Sequence, residues 1–313
     1  MILSVSRRTD IPAFYSDWFL NRIKEGYLCV RNPLPMYHHN VSKISLNKDV
    51  IDCIVFWTKN AKPMLDKLDQ LSDYKYYFQY TINGYGIDIE PVMGKMLDQN
   101  IQTFQELSEK IGSDKVIWRY DPIIFTDIYT MEYHINKFKY IAEKLKGKTR
   151  KCVISFYDAY EFVNKRLKNI VEPEEEKLRE FVKELVKIAK ENDMVIETCA
   201  EKIDLSEEGV LHGHCIDKAM IESIVGYPLT GGKDQSQRKE CGCMTSIDIG
   251  TYNTCKNQCK YCYATWNEDV SLYVTKYDVN SEFLCSLPED LDTVTEKKMK
   301  SLRRKENGKK KSK

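Results

Sequence analysis

Apolar runs of strand length recur along the chain, and longer segments with the periodicity of amphipathic helices separate them. One such segment spans residues 16–27, where Trp18, Phe19 and Ile23 fall on one helical face. The apolar runs cover residues 2–6, 53–59, 76–82, 116–125, 152–158, 194–201 and 246–252. Runs that are almost continuously apolar and alternate with helices indicate parallel strands in a sheet covered by helices.

Seven such strands, wound in one direction, predict a TIM-like (β/α) barrel, either full or partial. In that fold the chemistry is built at the C-terminal ends of the strands. The predicted strand ends carry polar side chains at residues 6–8, 58–60, 79–81, 119–121, 157–158, 198–199 and 253–255. We therefore expect these side chains to surround one active site.

The length of the chain allows one large domain with a substantial core. We assign residues 1–266 to a single barrel, with a cysteine-rich loop insertion at about 199–245. Residues 267–296 form an extension that we expect to pack on the barrel. Residues 297–313 contain ten Lys or Arg and one acid, which predicts a basic, disordered tail.

No run of eighteen apolar residues is present, so we expect no transmembrane helix. The first residues form a short apolar stretch followed by Arg7 and Arg8, which is the wrong order for a signal peptide. We therefore expect a cytoplasmic protein. Eleven cysteines in that setting favour metal ligation or reduced core thiols over a disulfide framework.

The segment CKNQCKYC places Cys255, Cys259 and Cys262 in a C-x3-C-x2-C array. Three thiolates at this spacing can ligate three of the four irons of a cubane cluster and leave one iron open. Zinc is the alternative, but a structural zinc site usually takes a fourth ligand, and no second C-x2-C pair follows here. The array therefore favours a [4Fe–4S] cluster.

A second group of thiols lies in the loop-rich segment. Its members are Cys199, Cys215, Cys241 and Cys243, which together could complete a four-thiolate site. Such a site would hold an auxiliary iron–sulfur cluster or a structural zinc, and the spacing does not separate these two. Free thiols are the alternative. The remaining cysteines are expected to behave as small hydrophobic residues: Cys29, Cys53, Cys152 and Cys285.

The segment CKNQCKYCYA resembles the cluster motif of radical S-adenosylmethionine enzymes, and within them the spore photoproduct lyase and DNA repair photolyase branch. In that branch, strands ending in T-D-x-x-x-P, T-K and R-x-x-P follow the cluster strand. Here SRRTDIP, VFWTKN and WRYDPII occur in that order from residue 1, although in SRRTDIP one residue and not three separates the aspartate from the proline. The chain therefore resembles a circularly permuted barrel whose cluster strand is last. The same segments resemble the family called domain of unknown function 1848. Asn257 replaces the usual histidine of the motif.

The resemblance implies roles for individual residues. Cys255, Cys259 and Cys262 would ligate the cluster, and Lys59 would pair with the carboxylate of S-adenosylmethionine. Tyr261 would lie near the adenine. Thr9, Asp10 and Arg119 would face the cofactor or substrate, with strand-end capping and salt bridging as the alternative. The candidates for relaying a hydrogen atom are Tyr157, Tyr261 and Tyr263.

The resemblance also implies a reaction. An oxygen-sensitive [4Fe–4S] enzyme would reductively cleave S-adenosylmethionine to a 5′-deoxyadenosyl radical, which abstracts hydrogen from a small-molecule or nucleobase substrate. Its electrons would come from a donor such as a flavodoxin or ferredoxin. The alternatives are a redox sensor and an iron–sulfur or zinc-stapled protein that binds nucleic acid through the basic tail without catalysis. A mouth lined by Lys59, Arg119 and Tyr157 favours the enzyme.

Overall fold

The computed structural model describes residues 1–158, 163, 165–266 and 269–304, which fold as a mixed α/β protein. The strands are β1 (Ile2–Val5), β2 (Tyr27–Arg31), β3 (Asn40–Ser45), β4 (Cys53–Thr58), β5 (Tyr76–Thr81), β6 (Val116–Ile123), β7 (Lys151–Phe156), β8 (Val195–Cys199), β9 (Leu211–Gly213), β10 (Ser246–Asp248) and β11 (Thr293–Glu296). The described α-helices are α1 (Ile11–Phe14), α2 (Ser16–Glu25), α3 (Lys62–Leu65), α4 (Leu97–Ile111), α5 (Met131–Leu145), α6 (Glu175–Glu191), α7 (Lys218–Val225) and α8 (Ser271–Val274). Single 3-10 turns occur at Pro35–Tyr37, Leu68–Leu71, Met93–Lys95 and Ser113–Lys115.

The main sheet has eight strands in the order β10-β1-β4-β5-β6-β7-β8-β9, and every neighbouring pair is parallel. The expectation of a parallel sheet flanked by helices is therefore confirmed. A closed barrel is not found, because the outer strands β9 and β10 do not pair with each other in the described residues. The strand that precedes the cysteine array, β10, lies beside β1, where Leu3 is paired with Ile247.

The pattern of apolar runs located every strand of the main sheet except β9. β9 is three residues long and two of its side chains are exposed, so it carries no apolar run. β10 is also only three residues long, shorter than the predicted run of residues 246–252. The hairpin of β2 and β3 belongs to a separate three-stranded sheet with β11, which was not predicted.

Alternate residues of the strands point to opposite faces of the main sheet. On one face, Phe56, Phe78 and Trp118 pack in a single core with α2, α4, α5 and α6. On the other face, Val55 and Tyr77 pack against the cysteine-rich segment and α7. The loop-rich segment is therefore a cover for the second face of the sheet and contributes its thiols to a buried layer.

His134 on α5 is buried against the same helical core. Its Nε2 donates to the carbonyl oxygen of Ile124 at 2.9 Å, and its Nδ1 accepts from the hydroxyl of Tyr120 at 2.8 Å. Burial lowers the pKa of His134 to about 4. The ring is therefore neutral in the folded protein at pH values where the unfolded chain would protonate it.

We expect this histidine to make the fold sensitive to acid. Because its pKa is about 6.5 when exposed and about 4 when folded, its contribution is complete above pH 6.5 and is lost as the pH falls through 4. The loss amounts to about 3 kcal/mol in the free energy of unfolding. Urea denaturation between pH 7 and 4 measures it, and His134→Gln should flatten the difference. An identical pH dependence in both proteins would contradict this assignment.

The C-terminal part of the described chain lies against the domain. Trp18 donates to the carbonyl of Ser281 at 2.8 Å, and β11 pairs with β3. Residues 297–304 were expected to belong to a disordered tail, and this was wrong for that part. Backbone bonds join Leu302 to Thr230, and Asp52 accepts hydrogen bonds from Ser301 and Leu302. Specific acceptors therefore hold a stretch whose composition alone predicts disorder; residues 305–313 lie outside the described residues.

No helix in the described ranges is both long and apolar enough to cross a membrane.

Candidate functional site

A cavity of about 440 Å³ opens where β1, β4, β6, β7 and β8 end. Its size falls within the range of about 300–1,000 Å³ in which proteins hold small molecules and cofactors. All of the residues that the sequence marked as candidates line this cavity: Thr9, Asp10, Lys59, Arg119, Tyr157, Tyr261, Tyr263, Cys199, Cys215, Cys241, Cys243, Cys255, Cys259 and Cys262. The strand ends and both groups of thiols therefore converge on one space.

The cysteine loop, residues 253–266, is closed at its base by Asn253. The N–H of Asn253 donates to the carbonyl of Ala264 at 2.9 Å, and its side-chain oxygen accepts from the N–H of Trp266 at 2.6 Å. Asn253 and Gln258 have left-handed backbone conformations, with φ of 59° and 52°. Such conformations are uncommon outside glycine, although asparagine adopts them more readily than most residues. The loop is thus a tight, closed turn that presents its thiols to the cavity.

Asp10 attaches the cysteine loop to the start of α1. Asn257 donates to its carboxylate at 3.1 Å, and nearby the hydroxyl of Tyr15 donates to the carbonyl of Thr254 at 2.6 Å. Asp10 also accepts hydrogen bonds from α1 and from the end of β4. Burial raises the pKa of Asp10 to about 6, although these bonds oppose the shift. Because protein donors occupy both oxygens, Asp10 holds the loop in place rather than facing the cavity with a free carboxylate.

Two buried polar atoms beside the loop have no hydrogen-bond partner among the described residues, namely the hydroxyl of Thr9 and the side-chain oxygen of Asn257. Both residues line the cavity. Buried polar atoms in folded proteins are nearly always satisfied. These two atoms therefore lack a hydrogen bond that buried polar groups normally make.

The surroundings of the cysteine loop favour the protonated forms of Cys255 and Cys259. Burial raises the pKa of Cys255 to about 12 and that of Cys259 well above its usual range. The backbone N–H groups of Asp10 and Asn257 donate towards Cys255 and oppose part of this rise. A bound metal cation would reverse the preference, because ligating thiols lose their protons.

A buried carboxylate lies next to the loop. Glu90 accepts from the ammonium group of Lys59 at 2.8 Å, from Asn83 at 3.1 Å and from the hydroxyl of Tyr261. The Lys59 ammonium also lies 5.4 Å from the centre of the Tyr261 ring. Burial, followed by the nearby Cys259 and Glu90, raises the pKa of Tyr261 well above its usual range. Lys59 therefore reaches the cavity, as expected, but its charge is balanced by a protein carboxylate.

The four-thiol group (Cys199, Cys215, Cys241 and Cys243) forms another part of the wall. The sulfurs of Cys199 and Cys215 are 3.1 Å apart, and hydrogen bonds link Cys215 to Cys243 and Cys243 to Cys241. The bond to Cys215, with burial, holds the pKa of Cys199 well above its usual range. The bond from Cys243 lowers the pKa of Cys241 to about 7. The four thiols thus form one continuous chain of contacts.

A family profile described as "Domain of unknown function (DUF1848)" matches residues 2–264. The chain belongs to the DUF1848 family. That description names no activity. No curated protein matches the DUF1848 chain. A solved structure described as "a putative alpha-L-fucosidase from Bacteroides thetaiotaomicron" aligns with 72% of this chain and 86% of its own, at 10% identity and a TM-score of 0.25, a similarity too low to support any inference.

In the DUF1848 chain, Arg119 faces the four-thiol group. Its guanidinium donates to the sulfur of Cys215 at 2.8 Å and pairs with Asp121 at 2.9 Å. Trp57 lies between two guanidinium groups, with Arg119 at 5.4 Å and Arg7 at 5.9 Å from its ring. Arg119 is therefore held by a thiol, an acid and an aromatic ring, which the strand-end pattern alone did not indicate.

Several residues of this DUF1848 site were missed at the level of sequence. Glu90 and Asn83 belong to no motif, and Trp57 lies within VFWTKN but was given no role; Glu90 lies in a loop nine positions after the end of β5. The one available signal was the segment GIDIE, in which the acid Glu90 directly follows the apolar Ile89. Their roles depend on contacts between segments that are distant in sequence, and these contacts form only in the folded chain.

The described residues contain one group of three possible metal ligands whose atoms all lie within 4.8 Å of one another: His39, Glu289 and Asp292. Arg31 pairs with Asp292 at 2.7 Å, so that group is an ion-pair network on the small sheet. The ligands of one zinc ion, bound at about 2.3 Å, would lie about 3.8 Å apart. Neither group of cavity thiols places three sulfurs that close together among these residues. Cys255, Cys259 and Cys262 are therefore spread more widely than a single ion requires, whereas the four-thiol group contains one close pair, with the sulfurs of Cys199 and Cys215 3.1 Å apart.

Proposed function

We propose that this DUF1848 protein is an iron–sulfur enzyme that reductively cleaves S-adenosylmethionine. The observation that carries the proposal is the cysteine loop at a cavity formed by the ends of parallel strands. Cys255, Cys259 and Cys262 line that cavity together with Lys59. Three thiols and a cation beside a space of cofactor size are the elements that such an enzyme requires.

The residues present fit these cofactors. Thiolates are the preferred ligands of iron–sulfur clusters, and the three sulfurs are spread wider than a single ion would need. The unpartnered oxygen atoms of Thr9 and Asn257 are available to a polar ligand. S-adenosylmethionine carries an amino group, a carboxylate and ribose hydroxyls, any of which can satisfy such atoms.

In this proposal Cys255, Cys259 and Cys262 would hold a [4Fe–4S] cluster with one open iron. That cluster, with S-adenosylmethionine, supplies the electron transfer and the 5′-deoxyadenosyl radical. The chain itself supplies position and charge. Asp10, through Asn257, fixes the loop, and Glu90 holds Lys59 at the cavity wall.

The same proposal includes a circularly permuted partial barrel. The support is the strand order, in which β10 lies beside β1 although it comes last in the sheet along the chain. When β10, which precedes the cysteine array, is counted before β1, the strand ends follow the order found in the enzymes that the motif resembles. A small-molecule or nucleobase substrate would enter past Tyr157 and Tyr263, which line the cavity, and a flavodoxin or ferredoxin would supply electrons.

The direct test is product formation. The protein is purified and reconstituted anaerobically with iron and sulfide, reduced with dithionite, and incubated with S-adenosylmethionine. We expect 5′-deoxyadenosine, detected by liquid chromatography and mass spectrometry, together with at least about four irons per chain. Protein that holds this iron but forms no 5′-deoxyadenosine with dithionite or with a reduced flavodoxin would contradict the proposal.

Asn257→Ala should weaken the iron site without removing a ligand. The change breaks the link to Asp10, whose backbone N–H donates towards Cys255. Loss of an outer partner of a metal ligand typically lowers metal affinity about 10–100-fold. Competition with a chelator measures the affinity. Asn257→His, which restores the residue usual in the motif, should retain most of it. Equal iron retention in the alanine variant and the native chain would show that this link does not position the cluster.

A further inference from the structure

The four-thiol group differs from the other cysteines of the chain in what its sulfurs touch. Cys53 and Cys152 donate to the backbone carbonyl of the next residue, as isolated thiols in a core commonly do. Each member of the four-thiol group instead touches another member. Four thiols that contact one another in series within an otherwise apolar layer need a reason beyond packing.

The backbone around the group is fixed from several directions. The carbonyl of Cys215 accepts from the hydroxyl of Tyr77 at 2.6 Å and from Gln79 at 2.9 Å, both on β5. The N–H of Met244 donates to the carbonyl of Ile216 at 3.0 Å. These bonds hold segments that are distant in sequence in one place, so the thiols meet on a rigid wall rather than on a loose loop.

Donors point at the sulfurs. Arg119 donates to Cys215 at 2.8 Å, and the N–H of Ile216 donates to Cys243 at 3.4 Å. The N–H of Cys243 also donates towards Cys241. Hydrogen bonds and a positive charge aimed at sulfur stabilise thiolates and tune the potential of the metal centres they bind.

A further polar atom near the group has no partner. The Nδ1 of His214, next to Cys215, is buried without a hydrogen bond. A Cβ at Gly242, between Cys241 and Cys243, would clash with the ring of His214, so glycine allows the two cysteine segments to close on each other.

We propose that the four-thiol group binds a second iron–sulfur cluster, which faces the same cavity as the cysteine loop. Soft thiolates select iron–sulfur clusters, zinc or copper(I). All four thiols line the cavity, so the cluster would contact the cavity and would not be a purely structural metal site. This site stands on its own thiols and does not require the proposed function to hold.

The test uses two reciprocal variants of the full chain, reconstituted anaerobically with iron and sulfide. One carries Cys255→Ala, Cys259→Ala and Cys262→Ala; the other carries Cys199→Ala and Cys243→Ala. Cys29→Ala removes a buried thiol of the small sheet and is the matched control. Iron, sulfide and zinc are counted per chain, and the reduced proteins are examined by electron paramagnetic resonance.

We expect about eight irons in the native chain and in the control, and about four in each variant. The native spectrum should show spin coupling that both variants lose, since the two clusters face one cavity. A loop variant that keeps about four irons supports the site even if the other variant fails to fold. If the variant without Cys255, Cys259 and Cys262 keeps iron and the variant without Cys199 and Cys243 holds none, the second site is supported and the proposed function is contradicted. A loop variant without iron, or one zinc in place of four irons, would overturn the second cluster.

Discussion

Cys259→Ala is expected to abolish 5′-deoxyadenosine formation. Cys259 is buried, lies in the middle of the array and lines the cavity near Lys59. Removing one of three ligands leaves two thiols, too few to hold a cluster that already has an open iron. The loss should exceed the roughly 10–100-fold reduction that removal of an outer partner causes. The measurements are product yield and iron content after anaerobic reconstitution.

Cys285→Ala is the matched control for this change. Cys285 is also buried, but it does not line the cavity, so its loss should leave both iron content and product yield near those of the native protein. Undiminished product from Cys259→Ala would exclude the cysteine loop as the cluster site. Circular dichroism of both variants separates a lost cluster from a lost fold.

Glu90→Ala should destabilise the fold by about 3 kcal/mol. Its side chain is 3% exposed and that of Lys59 is 13% exposed, so the change leaves a mostly buried ammonium group without its carboxylate. Breaking a buried pair in this way costs roughly 3–5 kcal/mol. The lower end applies because water in the cavity can reach Lys59. Tyr261 and Asn83 lose an acceptor at the same time. Urea denaturation measures the free energy of unfolding.

Two further variants define the origin of that loss. Glu90→Gln keeps the size and the acceptor oxygen, and should cost clearly less than the alanine change. Glu90→Leu combined with Lys59→Met replaces the pair by apolar groups and should recover most of the stability, since buried pairs often exchange for apolar residues at little cost. A cost for Glu90→Ala below about 1 kcal/mol would mean that Lys59 is solvated and that the pair behaves like a surface pair.

Much of the sheet could be predicted from sequence because its strands are buried on both faces. Each of the longer strands is an apolar run ending in polar residues, and the helices between them have clear periodicity. What the pattern could not decide is whether the sheet closes. Closure depends on the edge strands β9 and β10, which are three residues long each; β9 carries no apolar run, and the run at residues 246–252 does not reveal how few of its residues pair. In the described residues these two edge strands do not pair, so the sheet stays open.

The candidate site likewise contains some residues that could be identified from sequence and others that could not. The cysteines and strand-end residues could be marked because spacing and position along the chain are visible in sequence. Glu90 could not be assigned, since it reaches Lys59 only through a loop that folds back over the strand ends. Asp10 shows the opposite case: its position was predicted, but the commitment of its carboxylate to Asn257 and α1 depends on three-dimensional contacts. Residues 297–304 were wrongly expected to be disordered, because composition does not reveal acceptors such as Asp52.

The place of β10 in the sheet also has a consequence for synthesis. Seven strands of the main sheet come before β10 along the chain, and it pairs with the first of them. Ribosomes release a chain from its N-terminus at roughly 5–20 residues per second, and early segments begin to fold during release. The three thiols of the cysteine loop therefore emerge after the segments that form the rest of the cavity. The cysteine loop therefore completes a cavity whose other walls come from segments that are already synthesised.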